Sequence, residues 1–176
     1  MTDDNFNDSI EYIDNGFRVR KTARCCGTET LKFIEALCHK LILQPDPMVV
    51  SVYDFKIIDM KSIFDYVYSY DMKRLNDISD FEKNIIDEAS LSKWFSPSLK
   101  SFRKSSNIDI DLAWDKYYLL MNFLTRVIDQ DRYHDLHGGN IMKDNDGSYR
   151  LIDLEGFCNS PLSRPSNSWI TNYATT

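Results

Sequence analysis

The sequence between Asn140 and Gly156 obliges the chain to double back on itself. NIMKD is followed by Asn145-Asp146-Gly147 and then by SYRLIDLEG, and a turn of this composition between apolar-rich arms is a strong local hairpin signal. The expected arms are Ile141 to Lys143 and Tyr149 to Leu154. A hairpin makes the beginning of one arm a neighbour of the end of the other. Asn140 and Asp153 are therefore expected side by side although thirteen positions separate them, and Asp135 enters the same region from five residues before Asn140.

An amide oxygen and a carboxylate offered from adjacent strand ends are hard ligands of the kind that hold Mg²⁺ while phosphates complete its shell. Asp135 is then an acceptor able to orient a hydroxyl and take its proton. A calcium-loop reading of the same acidic segment fails. With Asp144, Asp146 and Gly147 at loop positions three, five and six, Met142 falls at the first position and Asp153 at the twelfth, where Asp and Glu are required. His137 is expected to brace the loop, His134 to face solvent, and His39 to be a helix-surface or partly buried residue and not a ligand.

The rest of the chain changes character near residue 72. Before it, SIEYI and FRVRKT flank Asp14-Asn15-Gly16, a second hairpin signal. Alternation along its second arm puts Lys21 on the Phe17 and Val19 side, the covered face. A helical stripe from Leu31 to Ile42 follows, with Thr28 placed to cap it and Gln44-Pro45 to end it. MVVSVYDFKII and KSIFDYVYSYDM then read as strands separated by a polar break at Asp59 to Lys61. Beyond Met72 the patterns are helical, over 77 to 94 and over Asp111 to Asp129, with a polar loop at 98 to 109 between them. Lys100, Arg103 and Lys104 form a modest basic patch in that loop, read as solvated.

Composition narrows the function classes. A net charge of −6 with scattered basic residues builds no field for a nucleic acid. No apolar run is long enough to span a bilayer, and the acidic start MTDDNFND is unlike a secretory signal. A cytoplasmic protein is expected, with Cys25, Cys26, Cys38 and Cys158 as reduced thiols, since their spacing matches no zinc or redox pattern.

YHDLHGGN at 133 to 140 and LIDLEG at 151 to 156 resemble the catalytic and metal-binding loops of the protein kinase-like superfamily. The form is closest to that of aminoglycoside and choline phosphotransferases and small atypical Ser/Thr kinases. The resemblance implies an α+β, minimal two-lobed fold, with residues 1–71 a small antiparallel-sheet lobe carrying one helix and 72–176 a truncated helical lobe. It implies Asp135 as catalytic aspartate, Asn140 and Asp153 as Mg²⁺ ligands, and Lys21 as the lysine that contacts the ATP phosphates. It further implies Glu35, or else Glu29, as the acid partnered with Lys21, and residues 68 to 72, including Tyr70 and Met72, as an adenine-binding hinge. Tyr133 stands where the family usually has histidine, and Leu154-Glu155-Gly156 where it has Phe-Gly, so Glu155 is a candidate additional ligand.

No G-x-G-x-x-G precedes Lys21, and Gly27 in the Arg24 to Thr28 turn is the candidate substitute for holding anionic phosphates. About twenty residues follow Gly156, so a minimal, fragmentary or degenerate kinase is expected. The leading expectation is transfer of the ATP γ-phosphoryl to a protein Ser or Thr. A binding or inhibitory pseudokinase and a small-molecule phosphotransferase are the alternatives, with a protein partner expected and homo-oligomerisation open.

Overall fold

The computed structural model describes residues 8–62, 64–95, 112 and 115–158. The expected loop at 98 to 109, its basic patch, Trp114 and the last residues of the chain lie outside that set. The protein is a mixed α+β chain with a four-stranded and a two-stranded antiparallel sheet and three long helices among the described residues. It divides into two compact units between Arg74 and Leu75. No helix among the described residues is long and apolar enough to cross a membrane.

The first unit opens with β1 (Ser9–Ile13) and β2 (Arg18–Cys26), joined by a turn in which Asp14, Asn15 and Gly16 all have positive φ. Asp, Asn and Gly are the residues that accept that region most readily. Alternation along β2 is strict: Val19, Lys21, Ala23 and Cys25 are buried, and Arg18, Arg20, Thr22 and Arg24 are less so. Phe17, grouped with the covered set by its spacing, lies ahead of the strand and is exposed.

Helix α1 (Thr28–Leu43) buries Leu31, Ile34, Leu37, Cys38 and Leu41 and packs on β2 and β3. Its N-cap is Gly27 and not Thr28, whose hydroxyl instead hydrogen-bonds the Tyr66 phenol at 2.9 Å. Gln44 is the C-cap, one residue before Pro45. No disulfide joins Cys25, Cys26, Cys38 and Cys158.

Strands β3 (Val52–Ser62) and β4 (Asp65–Lys73) complete the sheet in the order β1-β2-β4-β3. Asp59 to Lys61, expected as the break, remain within β3, and their polarity coincides instead with register shifts between Ile57 and Asp59 and between Met60 and Ser62. β4 is central and buried almost throughout. Tyr68 stacks on Phe55 at 5.9 Å and on Tyr70 at 6.5 Å, on the face that α1 covers. On the opposite face Arg20 grips Asp71 through two hydrogen bonds of 2.7 and 2.9 Å.

The second unit contains α2 (Asp80–Phe95), α3 (Tyr118–Gln130), and the hairpin of β5 (Ile141–Lys143) and β6 (Tyr149–Leu151). α2 begins three residues later than its periodicity predicts because Ser79 and Glu82 cap each other. The Ser79 hydroxyl accepts from the Glu82 N–H, and Glu82 Oε2 accepts from the Ser79 N–H at 2.8 Å, a reciprocal pairing that fixes a helix start. α3 buries Leu120, Met121, Phe123, Leu124, Val127 and Ile128. Its regular part starts at Tyr118 because Tyr117 has non-helical backbone angles, and Asp131 closes it in a left-handed conformation.

Candidate functional site

The chain leaves α3 at Asp131 and runs through residues 133 to 140 into β5. Tyr133 is only 1% exposed, and its ring meets Phe157 edge-on at 5.0 Å. Beside it the His134 N–H donates to the Gly156 carbonyl at 2.8 Å. Gly156 must be glycine at this approach, since a β-carbon there would overlap the Tyr133 ring. The stretches 133–134 and 156–157 are thus clamped together by one hydrogen bond and one ring contact.

Gly138 is held from the other side. Its N–H donates to Asp87 Oδ1 at 2.7 Å, and a β-carbon on it would lie 2.6 Å from Lys83 Cβ. Lys83 and Asp87 are four apart on α2, so that one helical face seats the loop. His137 caps the following 3-10 turn: its Nδ1 accepts the Gly139 N–H at 3.1 Å. An imidazole accepting at Nδ1 carries its proton at Nε2 when neutral, and Nε2 lies 3.7 Å from Asp135 Oδ2. The bracing expected of His137 thus takes the form of a backbone cap.

Asn140 is buried at the end of this turn. Its Nδ2 donates to the Asp135 carbonyl at 3.0 Å and to Asp135 Oδ2 at 2.9 Å. Its carbonyl accepts the Ile152 N–H at 3.0 Å. The hairpin therefore does set Asn140 against the residue that precedes Asp153, although β6 ends at Leu151 and not at Leu154. Asp153 precedes a 3-10 turn, Leu154–Phe157. Asp135 Oδ2 is engaged by Asn140 while its side chain is 60% exposed.

The electrostatics converge on the Tyr133 phenol. Burial raises its pKa first, and the negative charges of Asp153, Asp135 and Glu155 push it further, with Asn140 acting in the opposite direction. The phenol stays protonated and neutral. No group of three or more His, Cys, Asp or Glu side chains placed to hold a metal occurs among the described residues.

A buried carboxylate that sequence reasoning did not single out anchors this unit. Glu82 Oε1 accepts from Lys143 Nζ at 2.6 Å and from the Tyr149 hydroxyl, and Oε2 from Ser79. Burial pushes the Glu82 carboxyl up, but the bonds from Lys143, Tyr149 and Ser79 outweigh it and bring the pKa down to about 2. Asn76 and Lys143 exchange backbone hydrogen bonds at 2.8 and 2.9 Å beside it. The cap was readable in Ser79-Asp80-Phe81-Glu82, but the contacts with Lys143 and Tyr149 have no local signature.

The remaining candidates belong to the first unit. Lys21 is nearly buried on β2, opposite Tyr70, and its Nζ lies 3.3 Å from Asp8. Neither candidate acid meets it: Glu35 is half-buried on α1 without an ion pair among the described residues, and Glu29 is exposed and reaches Lys32. The Gly27 N–H is committed to the Phe64 carbonyl at 2.9 Å. Tyr70 and Met72, expected in a hinge, sit inside β4 with β2 on one side and β3 on the other. A strand paired on both sides has its N–H and C=O groups committed to the ladders, so the stretch that leaves the sheet begins at Arg74.

No protein-family model matches the chain, and no curated protein is similar enough to it to count as a relative.

Proposed function

We propose that the protein is an Mg²⁺- and ATP-dependent kinase that phosphorylates Ser or Thr hydroxyls of protein substrates. The observation that carries this reading is the pair of links at Asn140, side chain to Asp135 and main chain to Ile152. These links tie Asp135, Asn140 and the residue before Asp153 together, which supports an acceptor, an amide and a carboxylate acting as one group. An amide whose nitrogen is turned toward Asp135 keeps its oxygen for a cation, and Asp153 supplies the carboxylate. Mg²⁺ usually takes one or two protein ligands and completes its shell with water and phosphate oxygens, so a protein-only cage of three acidic groups is not required.

Mg²⁺ bound with ATP would neutralise phosphate charge. Asp135, its Oδ2 held by Asn140, keeps Oδ1 to orient the acceptor hydroxyl and take its proton as the hydroxyl oxygen bonds the γ-phosphorus and the bond to the ADP oxygen breaks. The exposure of Asp135 suits an acceptor carried on a large chain. Lys21 is held by Asp8, and an ion pair with a half-exposed acid is worth only about 0–1 kcal/mol. Transfer of labelled γ-phosphate from Mg-ATP to a mixed protein substrate tests the reading. The wild type should label it and Asp135→Asn should not, while both keep the same far-UV circular dichroism. Labelling by the variant equal to that of the wild type would refute Asp135 as base.

A second reading, a pseudokinase that acts by binding another protein, is favoured by Lys21 pairing with Asp8 and not with Glu35, and by the engaged Gly27 N–H. Calorimetric titration with Mg-ATP separates the two. Absence of binding up to millimolar nucleotide favours the binding module.

A further inference from the structure

β3 lies at an edge of the four-stranded sheet and is eleven residues long, with residues 56 to 62 exposed in succession. Ile57, Ile58 and Met60 are 49%, 55% and 63% exposed. A long open edge presents main-chain N–H and C=O groups to any strand that can pair with it. Asp59 and Lys61 on this edge have no ion-pair partner among the described residues, and Lys56 reaches only Asp54 of its own strand, at 2.7 Å.

The register with β4 assigns the faces. Phe55, Ile57 and Met60 lie opposite Tyr70, Tyr68 and Tyr66, on the tyrosine face. Asp54, Lys56 and Asp59 lie opposite Asp71, Ser69 and Val67, on the other face. Ile58 is the additional residue between Ile57 and Asp59, and such a bulge reverses the alternation from that point on. This reversal decides which self-pairings are possible, because directly opposed side chains must share a face.

A parallel, in-register copy sets each charge against itself. An antiparallel copy centred on Ile57 or on Ile58 sets Phe55 against Asp59 or Lys56 against Met60, which lie on different faces. Centred between Lys56 and Ile57 it opposes Asp54 to Asp59, and centred between Ile58 and Asp59 it opposes Lys56 to Lys61. Centred between Ile57 and Ile58, it opposes Phe55 to Met60 on the tyrosine face, Lys56 to Asp59 on the other, and Asp54 to Lys61. Of these arrangements only the last joins unlike charges and matches faces at every position to which the register with β4 assigns one.

We propose that β3 pairs antiparallel with β3 of a second copy of this chain about a two-fold axis between Ile57 and Ile58, joining the two sheets edge to edge. The isologous contact uses every pair twice, which makes the charges diagnostic. Sedimentation velocity and light scattering over a concentration series of the full chain should show a monomer–dimer equilibrium. Lys56→Asp and Asp59→Lys should each weaken it about tenfold or more, since each turns two attractive pairs into repulsive ones. Lys56→Asp combined with Asp59→Lys should return it to within about threefold of the wild type, because the unlike pairs are restored with their signs exchanged. Lys32→Asp, on the exposed side of α1, should leave it unchanged, and far-UV circular dichroism should be the same for all. A chain that stays monomeric at the highest concentration overturns the proposal. So does a dimer indifferent to the single substitutions, or a double variant as weak as either single one.

Discussion

Replacing Glu82 by glutamine tests how the β5–β6 hairpin is held to α2. The carboxylate is 6% exposed and accepts hydrogen bonds from Lys143, Tyr149 and Ser79. Its pKa falls from 4.5 to about 2 in the folded chain. A depressed folded-state value contributes stability that is complete above the unfolded value and is lost as pH falls through the folded one. The difference corresponds to about 3 kcal/mol at neutral pH, nearly gone at about pH 2. Glutamine keeps the shape and an acceptor oxygen for Ser79, and removes the charge that Lys143 faces. The readout is hydrogen exchange of the Asn76 and Lys143 amides, which bond each other's carbonyls next to the cluster. Glu82→Gln should lower their protection by about two orders of magnitude at neutral pH, and the gap should close as pH falls from about 4.5 to about 2. A gap of the same size at both ends of that range would mean that shape and not charge holds the hairpin, and no gap at neutral pH would remove Glu82 as its anchor.

Gly156→Ala should cost about 1–3 kcal/mol in urea unfolding through overlap with the Tyr133 ring, and Tyr133→Leu in the same chain should recover part of it. Asn140→Ala removes both bonds that orient Asp135, so phosphate transfer should fall at least about a hundredfold while stability drops only about 1–3 kcal/mol. Arg20→Leu leaves the buried Asp71 carboxylate without the guanidinium that grips it, and should destabilise the first unit by about 3 kcal/mol in chemical unfolding, most of which Arg20→Leu with Asp71→Leu should recover. Leu124→Ala, at a fully buried position of α3, should cost about 2–5 kcal/mol.

What could be read in the sequence was whatever depends on neighbours along the chain. The two hairpins were legible because Asp14-Asn15-Gly16 and Asn145-Asp146-Gly147 are turn-forming whatever surrounds them, and both turns contain residues at positive φ. The span of α1 was legible from its apolar stripe and from Gln44-Pro45, but its cap was not. Thr28 is drawn to Tyr66, thirty-eight residues away, and leaves Gly27 to begin the helix. The strand limits failed for a related reason. Asp59 and Lys61 are polar enough to suggest a loop, yet an edge strand can keep such residues because its outer side faces water.

The candidate site divides along the same line. Asp135 and Asn140 are five residues apart, and a turn that the sequence itself specifies sets Asn140 against Ile152, the residue before Asp153. Nothing local specifies which acid Lys21 will meet or where a central strand gives way to a connection, because both depend on how β2, β4 and α1 are set against one another. Glu82 makes the point most sharply. Its role as a cap follows from Ser79 three residues earlier, but its depressed pKa follows from Lys143 and Tyr149, more than sixty residues later. A charge pattern likewise acquires meaning only from register: Lys56 and Asp59 sit three apart and would alternate to opposite sides of a regular strand. The bulge at Ile58 puts them on one side, and only then can they be each other's partner across a two-fold axis.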